Sequence, residues 1–205
     1  MDGPAGAGKS TVGRAVAREL GIGYLDTGAM YRAMTFAALR RGVPPGELDE
    51  VAAMAPTVDI EIDDAGRVTV DGEDATTAIR GREVTEAVSQ IAANPGVRSV
   101  LVERQRAWVA DRGGAVVEGR DIGTVVFPQA DLKLYVTASP RVRAERRVQE
   151  LGGHVDEIEA AIVARDRYDS SRSHSPLAEA DDAMVVDTTG MSIDEVVAQI
   201  VEMLP

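Results

Sequence analysis

The chain has 205 residues, 44% of them apolar and 27% charged, with a formal net charge of -12. That length suits one domain with room for insertions and a substantial core, and the acidity weighs against a general nucleic-acid-binding surface. There is no cysteine, which excludes disulfides, thiolate metal sites and cysteine nucleophiles. With no apolar run of membrane-spanning length and no signal peptide ahead of the first motif, a cytoplasmic location is expected.

That motif is Met1-Asp-Gly-Pro-Ala-Gly-Ala-Gly-Lys-Ser-Thr11. Gly3, Gly8, Lys9 and Ser10 stand at the fixed positions of the phosphate-binding loop pattern. Glycines let successive N–H groups turn inward as an anion-binding nest, with no Cβ in the way. Gly3, Pro4, Ala5, Gly6, Ala7 and Gly8 are therefore expected to wrap phosphates, with Lys9, Ser10 and Thr11 opening a helix whose positive end faces them. Lys9 is the candidate cation for the β- and γ-phosphates, and the Ser10 hydroxyl the candidate Mg²⁺ ligand.

Val12, Val16 and Leu20 give the helix over 9–20 one apolar face, and Gly21 stops it. A short strand at Tyr24-Leu25 leads into a second helix, from Asp26 to about Arg41, which Gly42 and Pro44-Pro45-Gly46 break. Residues 47–55 read as a short helix. Val58, Ile60 and Ile62 then alternate with Asp59, Glu61 and Asp63; Asp64-Ala65-Gly66 turns the chain, and Val68 and Val70 alternate on the return, the pattern of an acidic, half-exposed β-hairpin. Thr76 to Ala93 reads as connecting and helical structure.

A long helix follows over 96–112, carrying Arg98, Arg104, Arg106 and Trp108; Arg104, Arg106 and Arg112 are expected on the surface and Trp108 in packing. Ala115–Glu118 is a short buried strand that runs into Gly119-Arg120-Asp121, and 132–136 is the next. Ser139 caps a helix with Pro140 at its first position and arginines at 141, 143, 146 and 147. Alone, that arginine stretch reads more readily as a solvated face. Gly152-Gly153 separates it from a helix over 155–169, 183–186 is the last strand, and Ser192 with Glu195 forms a capping box for the last helix. His154 and His174 have no metal-ligand spacing.

Strands alternating with helices predict an α/β fold with a parallel sheet covered on both faces. Ligands on such sheets bind at the carboxyl ends of the strands, so the phosphate loop, Asp26-Thr27-Gly28 and Gly119-Arg120-Asp121 can meet on one rim. Of the 22 basic residues only Lys9 and Lys133 are lysines; the rest are arginines, whose planar forks suit bidentate phosphate contacts.

Taken together, Asp2–Ser10, Leu25-Asp-Thr-Gly-Ala-Met-Tyr-Arg32, Glu118-Gly-Arg-Asp-Ile-Gly-Thr-Val-Val-Phe-Pro128 and the stretch from Arg165 to Leu177 closely resemble the bacterial cytidylate kinases. The resemblance runs in order over nearly the whole chain. It implies a phosphate-loop three-layer α/β/α fold forming one domain over 1–205, with a β-containing acceptor-binding insertion at 56–94 and a helical lid at about 140–168. The implied reaction moves the γ-phosphate of ATP to CMP or dCMP with Mg²⁺. From charge and hydropathy neither nucleic acid nor membrane is expected as a partner, and a monomer is expected.

By the same resemblance, Thr27 and Tyr31 line the acceptor site; Ser89, Arg98 and Asp121 read cytosine; Arg32, Arg120, Arg165 and Arg172 hold the acceptor phosphate; and Asp169 lies near the ribose. Arg143 and Arg147 join Lys9 as catalytic candidates on the lid. Asp121 as a general base is the weaker of its two roles. Thr27 stands where some members have serine. The strand that precedes the phosphate loop in this fold is reduced to Met1 and Asp2, so further Val-, Ile- and Ala-rich residues are expected upstream, and otherwise a vacant central slot in the sheet. The competing readings are a kinase for another small acceptor, such as shikimate or a different nucleotide, and a nucleotide-dependent switch or assembly module.

Overall fold

A computed structural model describes residues 1–63, 65–172 and 175–204. In chain order the elements are α1 (Lys9–Leu20), β1 (Gly23–Asp26), α2 (Thr27–Arg40), α3 (Leu48–Met54), β2 (Ile60–Ile62), β3 (Val68–Val70), β4 (Glu73–Asp74), α4 (Arg82–Ala93), α5 (Pro95–Ala110), β5 (Ala115–Glu118), β6 (Leu134–Thr137), α6 (Pro140–Leu151), α7 (Val155–Ser170), β7 (Met184–Asp187) and α8 (Ile193–Glu202). Short 3-10 turns cover Ala55–Thr57 and Ala78–Arg80, and one π-helical turn covers Ile122–Val126. Asp64 of the expected hairpin turn and His174 lie outside the described residues. Among the described residues, no helix is long and apolar enough to cross a membrane.

The fold is mixed α/β with parallel strands. It comprises two compact units, Met1–Ile22 with Val116–Pro205, and Gly23–Ala115. In the first unit, β6 and β7 pair in parallel from Leu134↔Met184 to Thr137↔Asp187. Asp2 bridges Tyr135 in the same parallel sense, its N–H donating to Leu134 O (2.8 Å) and its carbonyl accepting from Val136 N (2.8 Å). On the other side, Gly119 N donates to Met1 O at 3.0 Å. Met1 and Asp2 thus lie between the end of β5 and β6, and the chain turns directly into the phosphate loop.

The core of this unit joins the first and last helices. Val12 and Val16 of α1 meet Val136, Val186 and, from α8, Val196 and Ile200, all nearly inaccessible to solvent. Each such side chain contributes about 1.5–3 kcal/mol by leaving water. Ser192 and Glu195 form the expected capping box, and Ser139 Oγ accepts from Val142 N at the start of α6.

In the second unit, Asp26 caps α2 by accepting from Ala29 N at 3.0 Å, and Asn94 caps α5 through Gly96 N and Val97 N, with Pro95 following it. The hairpin is antiparallel with Ile60 opposite Val70 and Ile62 opposite Val68. Val68 and Val70 face the core whereas Glu61 is exposed, as the alternation demands. Strand β4 was not legible, because Glu73-Asp74 carries no apolar residue; backbone pairing to Val70 and Thr69 alone makes it a strand. Arg104 corrects a surface expectation. Half-buried, it donates to Val58 O (2.7 Å), Pro56 O (3.2 Å) and Ala55 O (3.4 Å), so it holds the base of the hairpin to α5.

Candidate active site

The phosphate loop is built by close approach. Gly3, Gly6 and Gly8 have φ of 140°, 77° and 89°, and a Cβ on Gly3 would stand 2.0 Å from the carbonyl oxygen of Val136. Gly8 opens α1 without a side-chain cap, leaving the first-turn N–H groups and the positive end of the helix for an anion. Lys9 is 7% exposed, and its Nζ lies across the loop, donating to Gly3 O (2.9 Å) and Pro4 O (2.8 Å). The Ser10 hydroxyl donates to Glu118 Oε1 at 2.6 Å, at the end of β5.

The expectation of a solvated arginine face on α6 fails at two positions. Arg143, 4% exposed, donates to Ala138 O and to Ala5 O (both 3.0 Å) and pairs with Asp166 of α7 at 2.7 Å. Arg146 donates to the Thr188 hydroxyl (3.0 Å) and carbonyl (2.8 Å), and that hydroxyl stands 3.1 Å from Ala7 O in the phosphate loop. Carbonyls, the Thr188 hydroxyl and one half-buried carboxylate therefore turn these two guanidinium groups toward the loop. Arg141 remains exposed, paired with Asp156 and Glu159, and Arg147 is half-exposed, 4.0 Å from Glu150.

A second cationic centre gathers around Asp169, which is only 1% exposed. Arg120 approaches it at 3.2 Å and Arg165 at 3.9 Å, and Arg172 is in direct contact. Burial first, and then the neighbouring Arg120 charge, lower the Arg165 guanidinium below its usual value, with Arg147 and Arg172 acting in the same direction. Three guanidinium groups thus share this carboxylate. Asp121, next to Arg120, is buried at 4% exposure.

In the second unit, Thr27 starts α2 and is buried, and Tyr31 follows one turn later. Arg98 is 6% exposed, with its guanidinium 5.5 Å from the Tyr31 ring centroid and a donor 3.4 Å from Ala92 O. Arg32 donates to Ile79 O (3.1 Å) and the Thr85 hydroxyl (2.9 Å). Ser89 is half-buried on α4. The structure thus brings Arg120, Arg165, Arg172 and Asp169 together in one unit, and Tyr31 and Arg98 together in the other.

Four supporting residues carried no role in the sequence. Glu118 had a signal as the carboxylate that ends β5 before a glycine turn, and Asp2 as the carboxylate directly before the phosphate loop. Asp166 and Thr188 had none, because their partners are 23 or more positions away in sequence. Among the described residues no three or more carboxylates or histidines form a metal-binding group.

A family model described as Cytidylate kinase matches residues 1–205. The chain belongs to the cytidylate kinase family. It is 50% identical to the cytidylate kinase of Desulfitobacterium hafniense (strain Y51), over 99% of this chain and 90% of that protein. It is 47% identical to the cytidylate kinase of Mycobacterium leprae (strain Br4923), over 100% and 93%. A bifunctional pantoate ligase/cytidylate kinase of Synechococcus sp. (strain JA-3-3Ab) is 50% identical, and there the chain spans only 39% of the relative's length. Among solved structures, an uncharacterized protein from Eubacterium ventriosum ATCC 27560 is similar in fold alone, with a TM-score of 0.50 at 11% identity, covering 98% of this chain and 94% of that one.

Proposed function

We propose that this chain transfers the γ-phosphate of ATP to CMP or dCMP, giving ADP and the diphosphate. The observation that carries this reading is the presence in one unit of a glycine loop crossed by Lys9 and of three arginines gathered on Asp169. The first suits a nucleoside triphosphate. The second gathers guanidinium forks, which suit the dianionic phosphate of a monophosphate acceptor.

In the reaction an acceptor phosphate oxygen bonds to the γ-phosphorus while the bond from that phosphorus to the β-bridging oxygen breaks, and the electron pair leaves with ADP. Such transfer needs positioning and charge neutralisation more than covalent help. Lys9 neutralises charge on the β- and γ-oxygens, and the loop N–H groups hold the triphosphate in line. Arg120, Arg165 and Arg172, with Arg32, hold the acceptor phosphate. Ser10 and Glu118 present adjacent hard oxygen donors, a set that fits Mg²⁺ completed by phosphate and water. When bound there, Mg²⁺ supplies further neutralisation of the phosphates.

Arg143 and Arg147 belong to the helices at about 140–168 that we assign as the lid, and residues 56–94 to the acceptor-binding insertion. Exclusion of water by a lid prevents hydrolysis from competing with transfer. For the base we assign Arg98, Ser89 and Asp121, with Thr27 and Tyr31 lining the pocket and Asp169 near the ribose. A carboxylate accepts from the cytosine amino group and an arginine donates to its ring nitrogen. Uracil offers the opposite pattern and leaves those groups unpaired, which discriminates strongly.

An ADP-release assay with CMP, dCMP, UMP, AMP and shikimate tests the reading. CMP- or dCMP-dependent release, with kcat/KM roughly 100-fold above UMP, is expected. Equal rates with AMP or shikimate, or nucleotide-dependent partner binding without acceptor-dependent ADP release, would overturn it.

A further inference from the structure

Asp2 immediately precedes the phosphate loop and is 5% exposed, yet the reaction as described gives its side chain nothing to do. Its two carboxylate oxygens are fully engaged elsewhere. Oδ1 accepts from Ile122 N at 2.8 Å and Oδ2 from Gly123 N at 2.7 Å, both bonds buried. These are the first two N–H groups of the π-helical turn Ile122–Val126, whose other end closes on Asp121 O through Val125 N (2.9 Å) and Val126 N (3.2 Å). On the opposite flank, Gly119 N donates to Met1 O at 3.0 Å. Arg120 and Asp121 are thus bracketed: the backbone is fastened before them to Met1 and after them to Asp2.

We infer that Asp2 is a positioning residue for the acceptor, its carboxylate fixing the turn that aims Arg120 and Asp121. This rests on the roles proposed above for those two residues. A carboxylate is the side chain for the task because it accepts twice and donates nothing, and bonds from N–H to a charged acceptor are about twice as strong as neutral ones. Arg120 also reaches Asp169 at 3.2 Å, so its tip is held at one end and its backbone at the other. A shift of the turn would carry Arg120 away from Asp169, which stands on α7.

The phosphate loop is held differently. Gly3 takes its course from the backbone of Asp2, which pairs with Leu134 O and Val136 N, and a change of side chain leaves those bonds intact. Asp2 therefore acts on the acceptor side much more than on the ATP side. A residue that merely stabilised the fold would show no such preference.

The substitution Asp2→Asn keeps the shape but presents one N–H₂ to a backbone N–H, so one of the two bonds is lost. Steady-state kinetics with each substrate varied should show the KM for CMP raised roughly tenfold, less than the ~100-fold that a misplacement of ~1 Å can bring. The KM for ATP should stay within about twofold, and the preference for CMP over UMP should fall in parallel. Circular dichroism verifies that the variant is folded; if it is not, Asp2→Ser, which retains one acceptor oxygen, is put through the same comparison. An unchanged KM for CMP, or equal rises for CMP and ATP, in an otherwise folded variant would overturn this inference alone. A wild-type chain with no CMP-dependent ADP release would instead overturn the proposed function, and the inference with it.

Discussion

Asp169 illustrates how a single buried side chain can organise a binding site. Its carboxylate is the shared counter-charge for Arg120, Arg165 and Arg172. Removing one partner of a buried charge network leaves the others uncompensated, typically costing about 3–5 kcal/mol. Asp169→Ala should therefore lower the melting temperature markedly, and inorganic phosphate should restore more of it than in the wild type, because an anion replaces the lost charge; thermal denaturation with and without phosphate measures this. Lys9→Ala should depress turnover with every acceptor, whereas Arg98→Ala should chiefly erode the preference for CMP over UMP; kcat/KM for both acceptors with each variant separates the two roles. The phosphate loop with Lys9 was legible from its own pattern, whereas Arg120, Arg165 and Arg172 were named only through the resemblance to the cytidylate kinases. The anionic partner Asp166 and the hydroxyl of Thr188 were harder to read. Sequence spacing says nothing about which arginine a distant carboxylate will meet, and the same arginine run on α6 is compatible with a solvated face or an inward one.

At the scale of elements, glycine punctuation and capping chemistry made most boundaries readable. Gly21 ends α1 in the left-handed conformation, Ser139-Pro140 starts α6 and Ser192 starts α8. The π-helical turn at Ile122–Val126 escaped because its cap, Asp2, is 120 positions away in sequence. Gly3 shows the tightest joint between elements: with φ of 140° and Val136 O 2.0 Å from any added Cβ, Gly3→Ala has no room for its methyl group. That variant should lose ATP binding together with folded yield, measurable by nucleotide-dependent shifts in melting temperature. The hairpin carries a pH-sensitive contact. The Arg41 side chain first, and the Asp59 N–H second, hold the Asp71 carboxyl below its usual value. A group depressed by folding stabilises the fold at pH above its unfolded value and loses that contribution as pH falls through the folded one. Asp71→Asn should thus be less stable than wild type at neutral pH, by a small margin because the pair is exposed. The gap should close in strong acid, which denaturant titration at several pH values follows.

The whole molecule is acidic, with a net charge of -12, and nevertheless collects guanidinium groups around Asp169. At moderate ionic strength charges farther than about 10 Å are screened, so the local cluster governs capture of an anionic acceptor. Raising KCl from about 0.05 to about 0.5 M should then increase the KM for CMP several-fold with little change in kcat; insensitivity to salt would contradict electrostatic capture. Fold class was legible from strand and helix alternation, since buried strands and amphipathic helices leave different periods. The division into two compact units was not, because it depends on which distant segments pack together. One such long-range tie is the Thr188 hydroxyl, 3.1 Å from the carbonyl of Ala7, 181 positions earlier. Ribosomes add about 5–20 residues per second, so the loop emerges roughly 10–35 s before the threonine that braces it. During that interval the nascent chain holds the phosphate-loop motif without the hydroxyl that braces Ala7, and the α8 side chains Val196 and Ile200 that pack against α1 come later still.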